Sequence, residues 1–160
     1  MNLDQLKKTL FVRAWALLNV PMISWLRPKV IQLDDDKVEI ALPLSRRSKN
    51  HLNSMYFGAL AAGADLAAGV AAVREIEKSS EKFSFAFKSL QADFLKRAES
   101  QTHFICETPS LVKKLVAKAE KTGNREETKI EVKAYTPKNF GDDPVAKFLL
   151  VLSIKRKSTP

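Results

Sequence analysis

Cysteine and histidine are scarce in this 160-residue sequence, with one Cys, Cys106, and two His. A single thiol excludes an internal disulfide, and one thiol with two imidazoles falls short of the usual Cys/His zinc sites, so no metal site is expected. The cysteine usage points to a reducing cytoplasm. Five Gly and seven Pro exclude a collagen-like or low-complexity chain. No run of about 20 apolar residues occurs, which leaves no expected transmembrane helix. The first residues do not read as a signal peptide. Lys7 and Lys8 precede an apolar stretch, but Asp4 and Arg13 break the pattern, Asn19 and Pro21 interrupt it, and no small-x-small site follows.

A dense basic run is also missing, although the net charge is +9. Residues 109–160 hold twelve Lys/Arg against six Asp/Glu, residues 1–27 four against one, and residues 28–108 eleven of each. The excess sits at the two ends of the chain, and the tightest clusters are Lys155-Arg156-Lys157 and Arg46-Arg47. A charge so spread fits a solvated basic surface or capture of an anionic small ligand. With no recognition helix in sight, no nucleic-acid partner is expected.

What is present is ordinary globular composition, 45% hydrophobic and 28% charged. The length suits a single domain, 1–160, with residues 1–20 as an appended N-terminal helix. Over residues 2–18, Leu3, Leu6, Leu10, Ala14, Leu17 and Leu18 share one helical face, with Lys7, Lys8 and Arg13 off it. Such a helix is expected to pack on its own domain through that face, without stable membrane insertion.

After Pro28 the period changes. Val30–Leu33 reads as a strand, Asp34–Asp36 as a turn, and Val38, Ile40 and Leu42 alternate with polar or small residues as a second strand. Phe83, Phe85 and Phe87, followed by Leu90, Ala92 and Phe94, predict one long strand. Three more strands are expected over 102–108, 129–135 and 146–154, and a short helix over 109–121 between Pro109 and Gly123. The segment 54–78 is rich in Ala and Gly on every face and predicts a buried helix that neighbours approach closely on several sides. Its one central charge is Asp65. An unpaired buried carboxylate is costly, so Asp65 either lines a cavity or is paired. This order of elements predicts an α+β fold, an antiparallel sheet wrapped around the Ala/Gly-rich helix.

The stretch Asn50-His51-Leu52-Asn53-Ser54-Met55-Tyr56-Phe57-Gly58-Ala59-Leu60, ending in Ala64-Asp65, is similar to the hotdog-fold PaaI-like acyl-CoA thioesterases. It stands closer still to an uncharacterised branch of that superfamily. In the PaaI-like pattern an Asn is followed six residues later by His-Gly-Gly, and a carboxylate lies seven residues beyond the second Gly. Here Asn50, Tyr56, Phe57, Gly58 and Asp65 occupy those places. A second echo is Ala92-Asp93-Phe94-Leu95-Lys96-Arg97-Ala98, with Arg97 where the family carries Pro. The resemblance spans roughly residues 20–157. It implies a hotdog fold, a homodimer or a dimer of dimers, and hydrolysis of an acyl thioester with no cofactor beyond the coenzyme A of the substrate.

The same resemblance implies the roles. Asp65 would act as base or nucleophile, Asn50 would orient it, and Gly58 would contribute an oxyanion-binding amide at the helix N-terminus. Tyr56 and Phe57 would line the substrate site, and Lys96 and Arg97 would meet coenzyme A phosphates. The chemistry stands on its own terms, since a helix N-terminus supplies unpaired N–H groups and partial positive charge. Asp65 lies seven residues beyond Gly58, about 10 Å along the axis, too far for one carbonyl to touch both within one chain, and the resemblance implies a dimer whose partner supplies the second group. Each residue also has a plainer reading: Asp65 as a bonded buried carboxylate, Asn50 as a loop organiser, Tyr56 as a pocket wall, Lys96 and Arg97 as exposed basic residues. His51 reads as a surface residue, His103 as structural, and Cys106 as inert for want of a nearby base. The rival to an enzyme is a non-catalytic acyl-CoA or lipid binding protein on the same fold, favoured by the loss of His and Gly at Tyr56-Phe57.

Overall fold

The computed structural model describes residues 2–157. Its elements in chain order are α1 (Leu3–Asn19), α2 (Pro21–Trp25), β1 (Lys29–Leu33), β2 (Val38–Leu42), α3 (Phe57–Glu77) and β3 (Phe83–Phe94). They continue with β4 (Thr102–Cys106), α4 (Pro109–Thr122), β5 (Arg125–Tyr135), α5 (Pro137–Phe140) and β6 (Pro144–Arg156). The six strands form one antiparallel sheet in the order β1-β2-β4-β5-β6-β3. The expected strands and the three expected helices, α1, α3 and α4, are in place. The short helices α2 and α5 are additions, each opened by a proline whose fixed φ suits the first helical position.

The sheet curls around α3, which packs on β2, β4, β5 and β6. Ala59, Ala62, Ala64, Ala67, Ala68 and Ala71 are buried along the helix. Small side chains let the sheet come close, and Gly63 marks the closest point. A Cβ there would lie 2.4 Å from the ring of the fully buried Phe104 on β4. Helix α4 closes the far end of α3 with Val112, Leu115, Val116 and Ala119, and stops at Gly123, whose φ of 67° provides the left-handed cap.

In β3 the apolar residues step by two through Phe87 and then by three to Leu90. The pairing with β6 absorbs that extra residue as a bulge between Phe87 and Ser89. Beyond it, Leu90 lies opposite Leu150 and Phe94 opposite Ala146, both fully buried. Leu90 and Phe94 therefore share the core face of the sheet, yet this chain leaves them exposed.

Helix α1 does pack on the domain, but with the opposite face from the one expected. Thr9, Val12 and Ala16 are buried, whereas Leu3, Leu6, Leu10, Leu17 and Leu18 are exposed, Leu18 at 85%. The reason lies in β1, an edge strand whose free backbone groups need partners. Gln5, Thr9 and Arg13, one stripe at a spacing of four, supply them. Gln5 donates to the Ile31 carbonyl at 2.7 Å, Thr9 Oγ1 accepts from the Val30 N–H at 2.9 Å, and Arg13 Nε donates to the Pro28 carbonyl at 2.8 Å. Satisfying the strand edge orients the helix and leaves the leucine stripe outside. Helix α3 is long and apolar enough to cross a membrane by composition, but 56% of its window is buried in the fold.

Gly63→Ala is expected to destabilise the protein by about 1–3 kcal/mol, because the clash with Phe104 outweighs the ~1 kcal/mol gain in helix propensity. Gly58→Ala should cost far less, since the ring it would meet belongs to the half-exposed Tyr56. Denaturant unfolding of the two variants checks the contrast.

Candidate active site

The open flank of α3 is the side the curled sheet does not cover. Asp65, Leu66, Gly69, Val70, Val73, Arg74 and Glu77 recur there at helical spacing. Phe11, Val12 and Trp15 of α1 face this stripe from one side, and Phe85 and Phe87 of β3 from another. Between them lies a cavity of about 660 Å³, within the range of ligand clefts.

Asp65 is half-buried in the cavity wall, and its carboxylate has no hydrogen bond or ion pair among the described residues. Burial pushes its carboxyl pKa up, because desolvation penalises the charged form. Of the two readings open for this residue, the structure has the cavity-lining one. A half-buried, unpaired carboxylate with a raised pKa is suited to accept a proton.

The N-terminus of α3 begins after Tyr56, with no side-chain cap. The Tyr56 N–H is bonded to the Ser48 carbonyl at 2.8 Å, and the Ala59 and Leu60 N–H groups to the Tyr56 carbonyl. The N–H groups of Phe57 and Gly58 have no partner among the described residues, which leaves two adjacent donors at the positive end of a 21-residue helix. Tyr56 folds its ring back over Gly58, with Cε1 2.6 Å from where a Cβ would stand. Phe57 packs against it with the rings tilted by 51° and their centroids 4.6 Å apart, and meets Phe94 edge-on at 6.4 Å. Tyr56, Phe57, Phe94 and Leu95 thus form an exposed apolar patch around the two free donors.

Asn50 is committed to its own loop. Its Oδ1 accepts from the Leu52 N–H at 2.9 Å, the Ser54 N–H at 3.2 Å and the Ser54 hydroxyl at 3.3 Å. It braces the turn that delivers Tyr56 to the helix. Lys96 pairs with the exposed Asp143 at 3.0 Å and sits over the Phe140 ring, while Arg97 is exposed and makes no ion pair among the described residues. His51 is exposed. His103 Nδ1 lies 2.7 Å from Glu39 across the β2–β4 pair, and that bond holds the Glu39 carboxyl below its usual range. Cys106 is buried, and burial pushes its thiol up. No group of three or more His, Cys, Asp or Glu among the described residues is placed to hold a metal ion.

Asp65, Phe57 and Gly58 therefore share one helix, and Tyr56 adjoins it. Lys96 and Arg97 stand beyond the end of β3, close in sequence to the aromatic patch. Sequence reasoning missed the cavity walls contributed by α1, β3 and Gly69. The signal for the α3 wall was there: the Asp65 stripe is apolar or Gly at 66, 69, 70 and 73 and polar at both ends.

Solved structures of similar fold are numerous. One from Pseudomonas aeruginosa, of unknown function and described as a probable thioesterase, is 18% identical over 93% of this chain and 96% of its own, with a TM-score of 0.72. A protein of unknown function from Chlorobaculum tepidum is 13% identical over 96% and 97%, with a TM-score of 0.81. A thioesterase from Haemophilus influenzae is 16% identical over 88% and 86%, with a TM-score of 0.63. This chain has the hotdog fold, in the α+β arrangement expected and with its extra N-terminal helix. A comparison with curated proteins finds no match. The chain belongs to the family described as a domain of unknown function, DUF4442, whose model matches residues 8–144.

The raised pKa of Asp65 has a measurable sign. The folded chain holds this proton more readily than the unfolded one, so Asp65 adds stability below its unfolded pKa, and that stability is lost as pH rises through the folded value. Asp65→Asn should therefore melt above the wild type at neutral pH, with the difference closing as pH falls through the carboxylate range. Thermal melts at matched pH check it, and a variant no more stable at neutral pH overturns the unpaired-carboxylate reading.

Proposed function

We propose that this protein hydrolyses an acyl-CoA thioester as a homodimer. The observation that carries the reading is the unpaired carboxylate of Asp65 on the same helix as the two unpaired N–H groups of Phe57 and Gly58. An oxyanion site and a base are what thioester hydrolysis requires. The thioesterase descriptions of similarly folded proteins support it.

Within one chain the two groups are about 10 Å apart along the helix axis. A dimer joined along β3 answers that separation. The outer edge of this 12-residue strand is unpaired among the described residues and carries no proline, and such edges are sticky unless covered. Leu90 and Phe94 sit on the core face without cover, and the patch of Tyr56, Phe57 and Leu95 adjoins them. In this arrangement the amides of one protomer bind the carbonyl oxygen while Asp65 of the other takes a proton from water. The resulting hydroxide adds to the carbonyl carbon, the oxyanion collapses, the C–S bond breaks, and the departing thiolate takes up the proton. Asn50 keeps the loop before the helix in shape, and Lys96 and Arg97 provide positive charge for the coenzyme A phosphates. A dimer of dimers fits the same scheme.

A second reading, acyl-CoA binding without turnover, is favoured by one observation: the Tyr56 ring covers the helix N-terminus where the family pattern has His-Gly.

A panel of acyl-CoA esters assayed for released thiol should show turnover, and Asp65→Asn should lower kcat at least about a hundredfold, the scale of a general base. Asn50→Ala should cost less. Binding of acyl-CoA with no turnover by the wild type establishes the second reading instead, and wild-type turnover by Asp65→Asn refutes the assignment. Light scattering should give a dimer; a stable folded monomer of 17.9 kDa at micromolar concentration overturns the shared site.

A further inference from the structure

The cavity beside Asp65 has a definite shape. Its α3 wall runs from Asp65 to Glu77, twelve residues or about 18 Å of helix. Polar side chains on this wall occur only at its ends, with Asp65 at one and Arg74 and Glu77 at the other. The stretch between is Leu66, Gly69, Val70 and Val73.

The opposite walls repeat this polarity. Helix α1 runs antiparallel to β1, with Gln5 bonded at Ile31 and Arg13 at Pro28. The far end of the β1–β2 hairpin is tied to α3 by the Asp35–Arg74 pair at 2.7 Å. Lys7 and Lys8 therefore lie towards the Arg74 end, and Trp15, Val20 and Ile23 towards the Asp65 end. The middle of the cavity meets only apolar side chains, among them Phe11, Val12, Phe85 and Phe87. Gly69 stands halfway along. A Cβ added there would have a single neighbour within 4 Å, Phe87 at 3.9 Å, so the absent side chain is space left to the cavity.

We infer that this cavity holds a linear aliphatic chain, that α1 is its roof, and that Gly69 sets how long a chain it admits. A long apolar slot with charge only at its ends matches an extended hydrocarbon and has no donor or acceptor along its middle to fix a polar or sugar-like ligand. The head of the chain sits at Asp65 and its tip points towards Arg74. From Asp65 to Arg74 is about 14 Å of helix. A zig-zag chain with carbon–carbon bonds of ~1.5 Å advances ~1.25 Å per bond and covers that distance in about eleven bonds. The assignment of the head to Asp65 rests on the proposed thioesterase site; the occupancy of the slot does not.

The test separates the two by using ligands that cannot be hydrolysed. S-butyl and S-decyl coenzyme A thioethers are titrated into the full chain by calorimetry. The decyl compound should bind more than tenfold tighter than the butyl one. Gly69→Leu, which fills the middle of the slot, should reduce that ratio at least tenfold, and Gly69→Ala should reduce it less. Melting temperatures report whether each variant is folded, and Val70→Phe blocks the same slot should Gly69→Leu not fold. Equal binding of both thioethers by the wild type, or an unchanged ratio in the folded blocked variants, overturns the inference whether or not thioesters are hydrolysed. A preserved chain-length effect in a protein that releases no thiol from acyl-CoA supports the slot and removes the hydrolase reading.

Discussion

The fold depends on how closely a sheet can approach a helix. At Gly63 the ring of Phe104 occupies the space a side chain would take. A helix with Leu or Ile on that face would push β4 outward and flatten the sheet. With Ala and Gly there instead, the sheet bends around the helix, and the bend is what leaves one flank of α3 open. The cavity, the exposed β3 edge and the half-buried carboxylate are all consequences of that incomplete wrapping. Dense packing on one side of a single helix thus creates room on its other side.

Asp65 is placed at a cost the core does not need. A residue in the third turn of α3 could have been another alanine, and the folded state would gain by it. Instead the carboxylate is desolvated without a partner among the described residues, while the first turn, two turns earlier, leaves two amides unbonded. Stability is forgone at two points of one helix, its N-terminus and the flank that carries Asp65, and such concessions are what the proposed function draws on.

Much of the architecture was legible because each element declares its period. The small-residue stretch at 54–78 and the alternation through Val38, Ile40 and Leu42 translate directly into structure, whereas the step after Phe87, read as continued alternation, is a bulge. The direction faced by α1 was not legible. Its leucine stripe identifies an apolar face, but periodicity does not say what that face meets. The decisive residues were Gln5, Thr9 and Arg13, whose partners are backbone atoms of a strand 15 to 26 positions away. At the site, Asp65 stood out as the lone charge in an apolar helix. The bracing role of Asn50 and the pairing of Lys96 with Asp143, 47 residues on, depend on loop geometry and long-range proximity that spacing does not carry.

The strand order has a consequence for how the protein is made. The last strand, β6, lies inside the sheet between β5 and β3. Strand β3 leaves the ribosome about fifty residues before its partner begins and has no other neighbour in the sheet among the described residues. At ~5–20 residues per second, its aromatic face waits several seconds for β6 to emerge. Pairing Phe83 with Arg156 then closes a loop of most of the second half of the chain, a slow, non-local step. A nascent chain stalled before Pro144 would lack its last strand and also hold β3, with Phe85 and Phe87, detached from any sheet. Quality control during translation would meet this protein at that strand.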